Sequence, residues 1–126
     1  KFITVIVKGG RDKEECTKVG FCVAESLLVK TALFASDANW GRILAAIGRA
    51  GLDNLDTHNV NIDIGDVRIV TKGNLEETYT EEKGKSVMEL DELIISIELG
   101  RGNIQEAVWT SDLSHDYVTI NADYRT

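Results

Sequence analysis

The sequence predicts an α+β fold, a two-layer sandwich in which two main helices pack on a mixed, largely antiparallel sheet. Three stretches carry that expectation. The chain opens on FITVIV, a run rich in β-branched residues. Residues 60–69 (VNIDIGDVRI) alternate apolar and polar on either side of a Gly-Asp turn. Residues 36–51 (SDANWGRILAAIGRAG) repeat apolar residues at helical spacing and stop at a glycine. Period 2 marks a strand and period 3.6 a helix, so the chain mixes both.

Taken in order, residues 2–8 read as a strand apolar on both faces and therefore central in its sheet. Gly9 and Gly10 end it. Asp12 with Glu15 three residues on is a capping-box-like helix start, and Cys16, Val19, Gly20, Val23 and Leu27 keep helical spacing to about Ser26. Residues 28–34 read as a second strand or an extended connector, which would make a strand-helix-strand unit. The helix of residues 39–50 follows. Asp37 or Asn39 is its N-cap, Trp40, Ile43, Leu44 and Ile47 form its apolar stripe, and Gly51 stands where a left-handed residue is wanted. Gly41, Ala45 and Gly48 make a track of small residues. Each helical glycine costs about 1 kcal/mol relative to Ala, so the track, which continues to Leu52, is expected to pack closely on a sheet or to contact another chain or a site.

Residues 52–59 are turn-rich. In the hairpin that follows, a two-residue Gly65-Asp66 loop sets Ile64 opposite Val67 and Ile62 opposite Ile69. Residues 73–85 (GNLEETYTEEKGK) form an acidic excursion, read as a solvated loop or a flap. Ser86 and Glu89 make a second capping box for a short helix. Leu93, Ile95, Ile97 and Leu99 mark a strong strand, the GRGN turn reverses it, and residues 107–113 return as its partner. A last strand runs from Tyr117 to Ala122, with Tyr117, Thr119, Asn121 and Asp123 on one side.

With 126 residues and 13.9 kDa, the chain suits one domain with a sizeable core. A net charge of −7 and a pI near 4.8, with no run of Lys or Arg, argue against nucleic acid and anionic membrane as partners. No apolar segment nears the roughly 20 residues that cross a bilayer, and no signal-peptide pattern opens the chain. A cytoplasmic protein is expected. Cys16 and Cys22 stand six residues apart on one helix, about 9 Å along its axis, too far for a disulfide. With only His58 and His115, far apart and without cysteine neighbours, a zinc site is not expected. The chain starts at Lys1, directly before a strand, and this predicts residues upstream.

Catalytic signals are thin. GRG (100–102) lacks the remaining glycines of a dinucleotide fingerprint and reads as a turn. Arg42 and Arg49 lie two helical turns apart, where they face either a carboxylate substrate or solvent. Asp112 with His115 is an acid/base pair or a self-capped turn. The C-terminus instead gathers Asn121, Asp123, Tyr124 and Thr126, a run of polar groups at the chain end.

Two segments carry a resemblance. LVKTALFASDANWGRILAAIGRAG (28–51) and GRGNIQEAVWTSDLSHDYVTINADYRT (100–126) resemble the bifunctional ornithine acetyltransferase/glutamate N-acetyltransferase family of arginine biosynthesis. The opening KFITV is similar to the segment after that family's glycine-rich acidic motif. The resemblance spans the chain and places it as a single domain, residues 1–126, in the C-terminal part of the family's β chain. It implies an enzyme that cuts itself into α and β chains and exposes a threonine nucleophile. That threonine takes acetyl from N-acetylornithine and passes it to glutamate through an acyl-enzyme, with an oxyanion hole from the α chain. No resident cofactor is implied, although acetyl-CoA is an acetyl donor for bifunctional members. The implied partners are the α chain, the remainder of the β chain and the two small substrates, in a heterotetramer or larger particle.

By the same resemblance, substrate is held by Asn121 and Thr126. An amide and a hydroxyl can hydrogen-bond an amino-acid head group without adding a charge that must be desolvated. Residue 1 is Lys rather than Thr, so no catalytic residue lies in this chain, and alone it is expected to be inactive. Two rival readings are a non-catalytic subunit-contact domain and an N-terminal-nucleophile amidohydrolase on the same scaffold.

Overall fold

The computed structural model describes residues 1–123. Strand β1 (Phe2–Gly10) is followed by three helices, α1 (Lys13–Ala24), α2 (Leu27–Phe34) and α3 (Trp40–Gly48). A 3₁₀ turn at Thr57–Asn59 leads into β2 (Asn61–Ile64), β3 (Val67–Thr71) and β4 (Asn74–Leu75). Helix α4 (Glu81–Met88), β5 (Glu92–Glu98), β6 (Ile104–Ser111) and α5 (His115–Asp123) complete the described residues. The strands form one sheet in the order β4-β3-β2-β5-β1-β6. Among the described residues only β1 and β5 run parallel; the other neighbours are antiparallel. The fold is the α+β two-layer sandwich with a mixed, largely antiparallel sheet that the sequence predicts.

One buried cluster joins one face of the sheet to α1, α2, α3 and α4. Ile3, Val5 and Val7 of β1 are all 0% exposed and sit level with Leu93, Ile95 and Ile97 of β5. Strand β1 is interior, as expected, but only one of its faces is covered: Phe2 is 52% exposed. The N-cap of α3 is Asn39, whose Oδ1 accepts from the Arg42 N–H at 3.2 Å. Gly51 takes the left-handed conformation at φ +73°.

Several expectations are corrected. Residues 28–34 are helical, not extended. Ser26 caps α2 by accepting from the Val29 N–H, and Val29, Ala32 and Leu33 recur at helical spacing on its buried face. The last segment is also a helix. The Ser114 hydroxyl accepts from the Tyr117 N–H at 3.0 Å and starts α5, so Val118 and Ile120 do not alternate along a strand. Ser86 lies within α4, which begins five residues earlier on a Thr80 cap.

Two strand pairings differ as well. A register shift in the β2–β3 hairpin sets Ile62 opposite Val70, not Ile69, while Ile64 faces Val67 across the two-residue loop. Strand β6 does not pair with β5; β1 lies between them. The GRGN turn therefore spans a strand rather than closing a hairpin. The acidic stretch after Gly73 is tied to the sheet edge through β4, and the Glu76 N–H donates to Ile69 O at 2.8 Å.

The glycines of α3 do not mark a close approach. A Cβ on Gly48 would meet nothing within 4 Å, and one on Gly41 only the Asn39 Oδ1 at 3.6 Å. Tight helical glycines are instead Gly20 of α1, where a Cβ would run into Val108 Cγ2 of β6, and Gly84 of α4, where one would run into the Tyr79 ring. Gly20→Ala should therefore destabilise the fold by about 1–3 kcal/mol through overpacking. Gly48→Ala should stabilise it by up to about 1 kcal/mol through helix propensity. Urea unfolding of the two variants, with opposite shifts in midpoint, checks both.

Candidate functional site

The C-terminal end gathers the residues with the strongest claim to a site. Strand β6 ends at Ser111, and the Leu113 N–H donates to Lys30 O of α2 at 3.2 Å, which turns the chain onto the helical layer. Helix α5 then meets α2 across an open cleft of about 410 Å³ lined by Thr31, Phe34, Leu113, His115 and Val118. The His115 ring stands edge-on to Phe34 with centroids 5.8 Å apart. No residue of α5 is buried, and Tyr117, Val118 and Ile120 are 53–67% exposed. Asn121 lies on the last turn, exposed, with its Nδ2 donating to Tyr117 O at 2.8 Å. Thr126 lies outside the described residues.

The remaining candidates are not brought together. The Arg42 guanidinium donates to Leu28 O at 2.8 Å and pins α3 to α2, while Arg49 is exposed at the end of α3. Asp112 Oδ1 accepts from the Lys1 backbone nitrogen at 2.8 Å, and His115 faces Phe34 instead of Asp112. Both cysteines are free thiols. Burial, joined by nearby carboxylates, pushes the Cys16 thiol up, and its Sγ bonds Ile104 O at 3.4 Å. That suits packing rather than nucleophilic work. Among the described residues no helix is long and apolar enough to cross a membrane.

A buried ion pair ties the GRG turn to α1. Arg101, inside the GRG turn, places Nη2 2.8 Å from Glu15 Oε1 and Nε 3.0 Å from Glu15 Oε2. The two side chains are 8% and 9% exposed. The same guanidinium donates to Asp53 O at 2.8 Å and Asn54 O at 3.0 Å, and Glu15 Oε2 also accepts from the Arg11 N–H at 2.9 Å. Burial alone would raise the Glu15 pKa. The Arg101 hydrogen bond, the Arg11 N–H and the charges of both arginines outweigh it and hold the carboxyl below its usual range. Glu15 lies four residues before Val19 and eight before Val23 on the buried stripe of α1, and that placement was the signal for a buried partner. The pair fastens the turn and the 53–54 loop to α1. It is structural.

Relatives of known family share both sequence and fold with this chain. The ArgJ family model matches residues 1–126. The arginine biosynthesis bifunctional protein ArgJ of Pseudomonas fluorescens (strain Pf0-1) is 56% identical over 126 residues, and that of Pseudomonas syringae pv. tomato (strain ATCC BAA-871 / DC3000) is 57% identical. Both matches cover 100% of this chain and 31% of the relative, so the chain spans about a third of their length. The crystal structure of the arginine biosynthesis bifunctional protein argJ from Bacillus halodurans superposes with a TM-score of 0.91 at 37% identity. That alignment covers 98% of this chain and 58% of the other. A whole-chain family match joined to a shared fold at this identity has one meaning: the chain belongs to the ArgJ family.

Proposed function

We propose that this chain is the C-terminal part of the β chain of an acetyltransferase that moves acetyl from N2-acetylornithine to glutamate. The observation that carries the reading is the match over all 126 residues, at 56–57% identity, to proteins named arginine biosynthesis bifunctional protein ArgJ. In this reading the nucleophile is a threonine outside this chain, freed when the precursor cleaves itself. Its hydroxyl attacks the acetyl carbonyl, the amide C–N bond breaks, and ornithine leaves with the proton. The glutamate amine then attacks the ester, and the threonine oxygen leaves and regains its proton. Donors of the α chain hold the oxyanion in both steps.

This chain contributes Asn121 and Thr126 as substrate contacts. Asn121 supports that role by its place: it is exposed on a helix that buries none of its own residues, and the single bond from its Nδ2 to Tyr117 O leaves a second N–H and the Oδ1 for a ligand. An amide N–H suits a substrate carboxylate, and its carbonyl suits an ammonium. The assembly is a cytoplasmic heterotetramer or larger particle without a resident cofactor. Acetyl-CoA acts as a second acetyl donor if the enzyme is bifunctional. The 126 residues alone are inactive, because the nucleophile lies elsewhere.

The test is acetyl exchange between N-acetylornithine and glutamate by the full assembly, with Asn121→Ala beside wild type. Loss of one hydrogen bond to a charged head group should lower kcat/KM by about 10- to 100-fold while the assembly stays intact. Unchanged kcat and KM would remove Asn121 from the site. Acetyl release to water without transfer to glutamate would make the protein a hydrolase instead.

A further inference from the structure

The helices cover one face of the sheet, and the polarity of the other face is divided. On β5, β1 and β6 the outward residues at one end are Phe2, Thr4, Ile94 and Trp109, with Ile6 and Ala107 next to them and Glu92, Ser96 and Ser111 at the margin. Register places Thr4 level with both Ile94 and Trp109, so these side chains form one contiguous patch. Phe2 is 52%, Ile94 47% and Trp109 62% exposed. Toward the other end and across β2 and β3 the same face is charged. Lys8 stands level with Glu98, and Asp63 is paired with Arg68 at 2.7 Å. An apolar corner rimmed by charge is the composition of a covered surface, not of one left in water.

The patch lies where further polypeptide would attach. Phe2 opens β1, and residues preceding Lys1 in a longer protein would join the sheet at this end. The chain matches the C-terminal part of its curated relatives and 31% of their length, so most of an ArgJ-length protein precedes it. Helix α5 cannot cover the patch, because its His115 and Val118 face α2 on the helical layer. A surface tethered at the edge of the patch meets it at high effective concentration, an advantage that a second copy lacks.

We propose that the apolar corner formed by Phe2, Ile6, Ile94 and Trp109 is the docking face for the polypeptide that precedes residue 1, which presents an uncharged, apolar surface of its own. The charged remainder of the face stays in water and sets the edge of the contact. This rests on the proposed function only in taking the chain as part of a longer protein, and its test needs no activity assay.

The experiment is hydroxyl-radical footprinting of the full-length, processed protein, with peptide-resolved mass spectrometry and each residue referred to its own rate in urea. Trp109 and Ile94 should react about fivefold or more slowly in the folded protein, as groups at the water-excluded centre of an interface do. Rates within about twofold of the unfolded reference would overturn the proposal, since an uncovered Trp109 keeps most of its accessibility. A dilution series with sedimentation analysis separates the remaining case. Protection that vanishes as oligomers dissociate assigns the face to a second copy and also overturns the proposal.

Discussion

Arg101→Met is expected to destabilise the fold by about 3–5 kcal/mol, because it leaves a carboxylate buried without its counter-ion. The magnitude follows from what remains. Glu15 would keep only the Arg11 N–H, and Asp53 O and Asn54 O would lose their donors. Against a total stability of about 5–15 kcal/mol, that loss is a large fraction of the whole and approaches it at the low end of the range. The double variant Glu15→Leu, Arg101→Met removes both charges and should recover part of the loss, because the largest cost is the unpaired charge. Urea unfolding of wild type, both single variants and the double gives the coupling directly.

The pH dependence gives the same pair a second signature. In the wild type the folded Glu15 pKa is lowered from a reference of 4.5, so the unfolded state binds its proton more tightly. Its contribution is fully present above the unfolded value and is lost as pH falls through the folded one. In Arg101→Met burial, the largest of the causes, is opposed only by the Arg11 N–H and charge, and the sign is expected to reverse. The penalty is then largest at neutral pH and shrinks as pH falls toward the unfolded value. The stability gap between wild type and variant should therefore narrow from pH 7 to pH 5. A gap independent of pH would mean that the loss comes from the orphaned carbonyls of the 53–54 loop.

How far the sequence could be read follows from the range of the forces involved. Strands with clear alternation, such as the one carrying Leu93, Ile95 and Ile97, were legible because the pattern records burial on one face. Residues 28–34 were not, since a short apolar run has no decisive period; a single serine cap and the packing of Val29 and Leu33 decide for helix. The Val118–Ile120–Ala122 alternation misled for a similar reason. A strand needs a neighbour, and β6 leaves the sheet before those residues begin. The insertion of β1 between β5 and β6 is a pairing across some ninety positions, invisible to local pattern. Asn121 and Thr126 entered as site residues through a family resemblance, whereas Glu15 carried a physical signal of its own as a carboxylate on an apolar stripe.

The helix of DANWGR gives the second large effect. Ile47→Ala should cost about 2–5 kcal/mol, whereas Trp40→Ala, which removes a much larger side chain, should cost less than about 2 kcal/mol. The reason is rotation. Spacing alone assigns Trp40, Ile43, Leu44 and Ile47 to one stripe, but α3 turns Ile43, Ala46 and Ile47 into the core, at 2%, 0% and 0% exposure. Trp40 is left 36% exposed at the first turn. Deleting Ile47 opens a cavity among close-packed neighbours, because Ile47 belongs to the one buried cluster that joins the helices to the covered face of the sheet. Deleting Trp40 removes contacts on one side only and lets water into the space. Equilibrium unfolding of this chain tests the order, and the m-value should stay constant in both variants if the fold is retained. If Trp40→Ala proves the costlier of the two in the full assembly but not in this chain, the difference measures what the rest of the protein places against that ring.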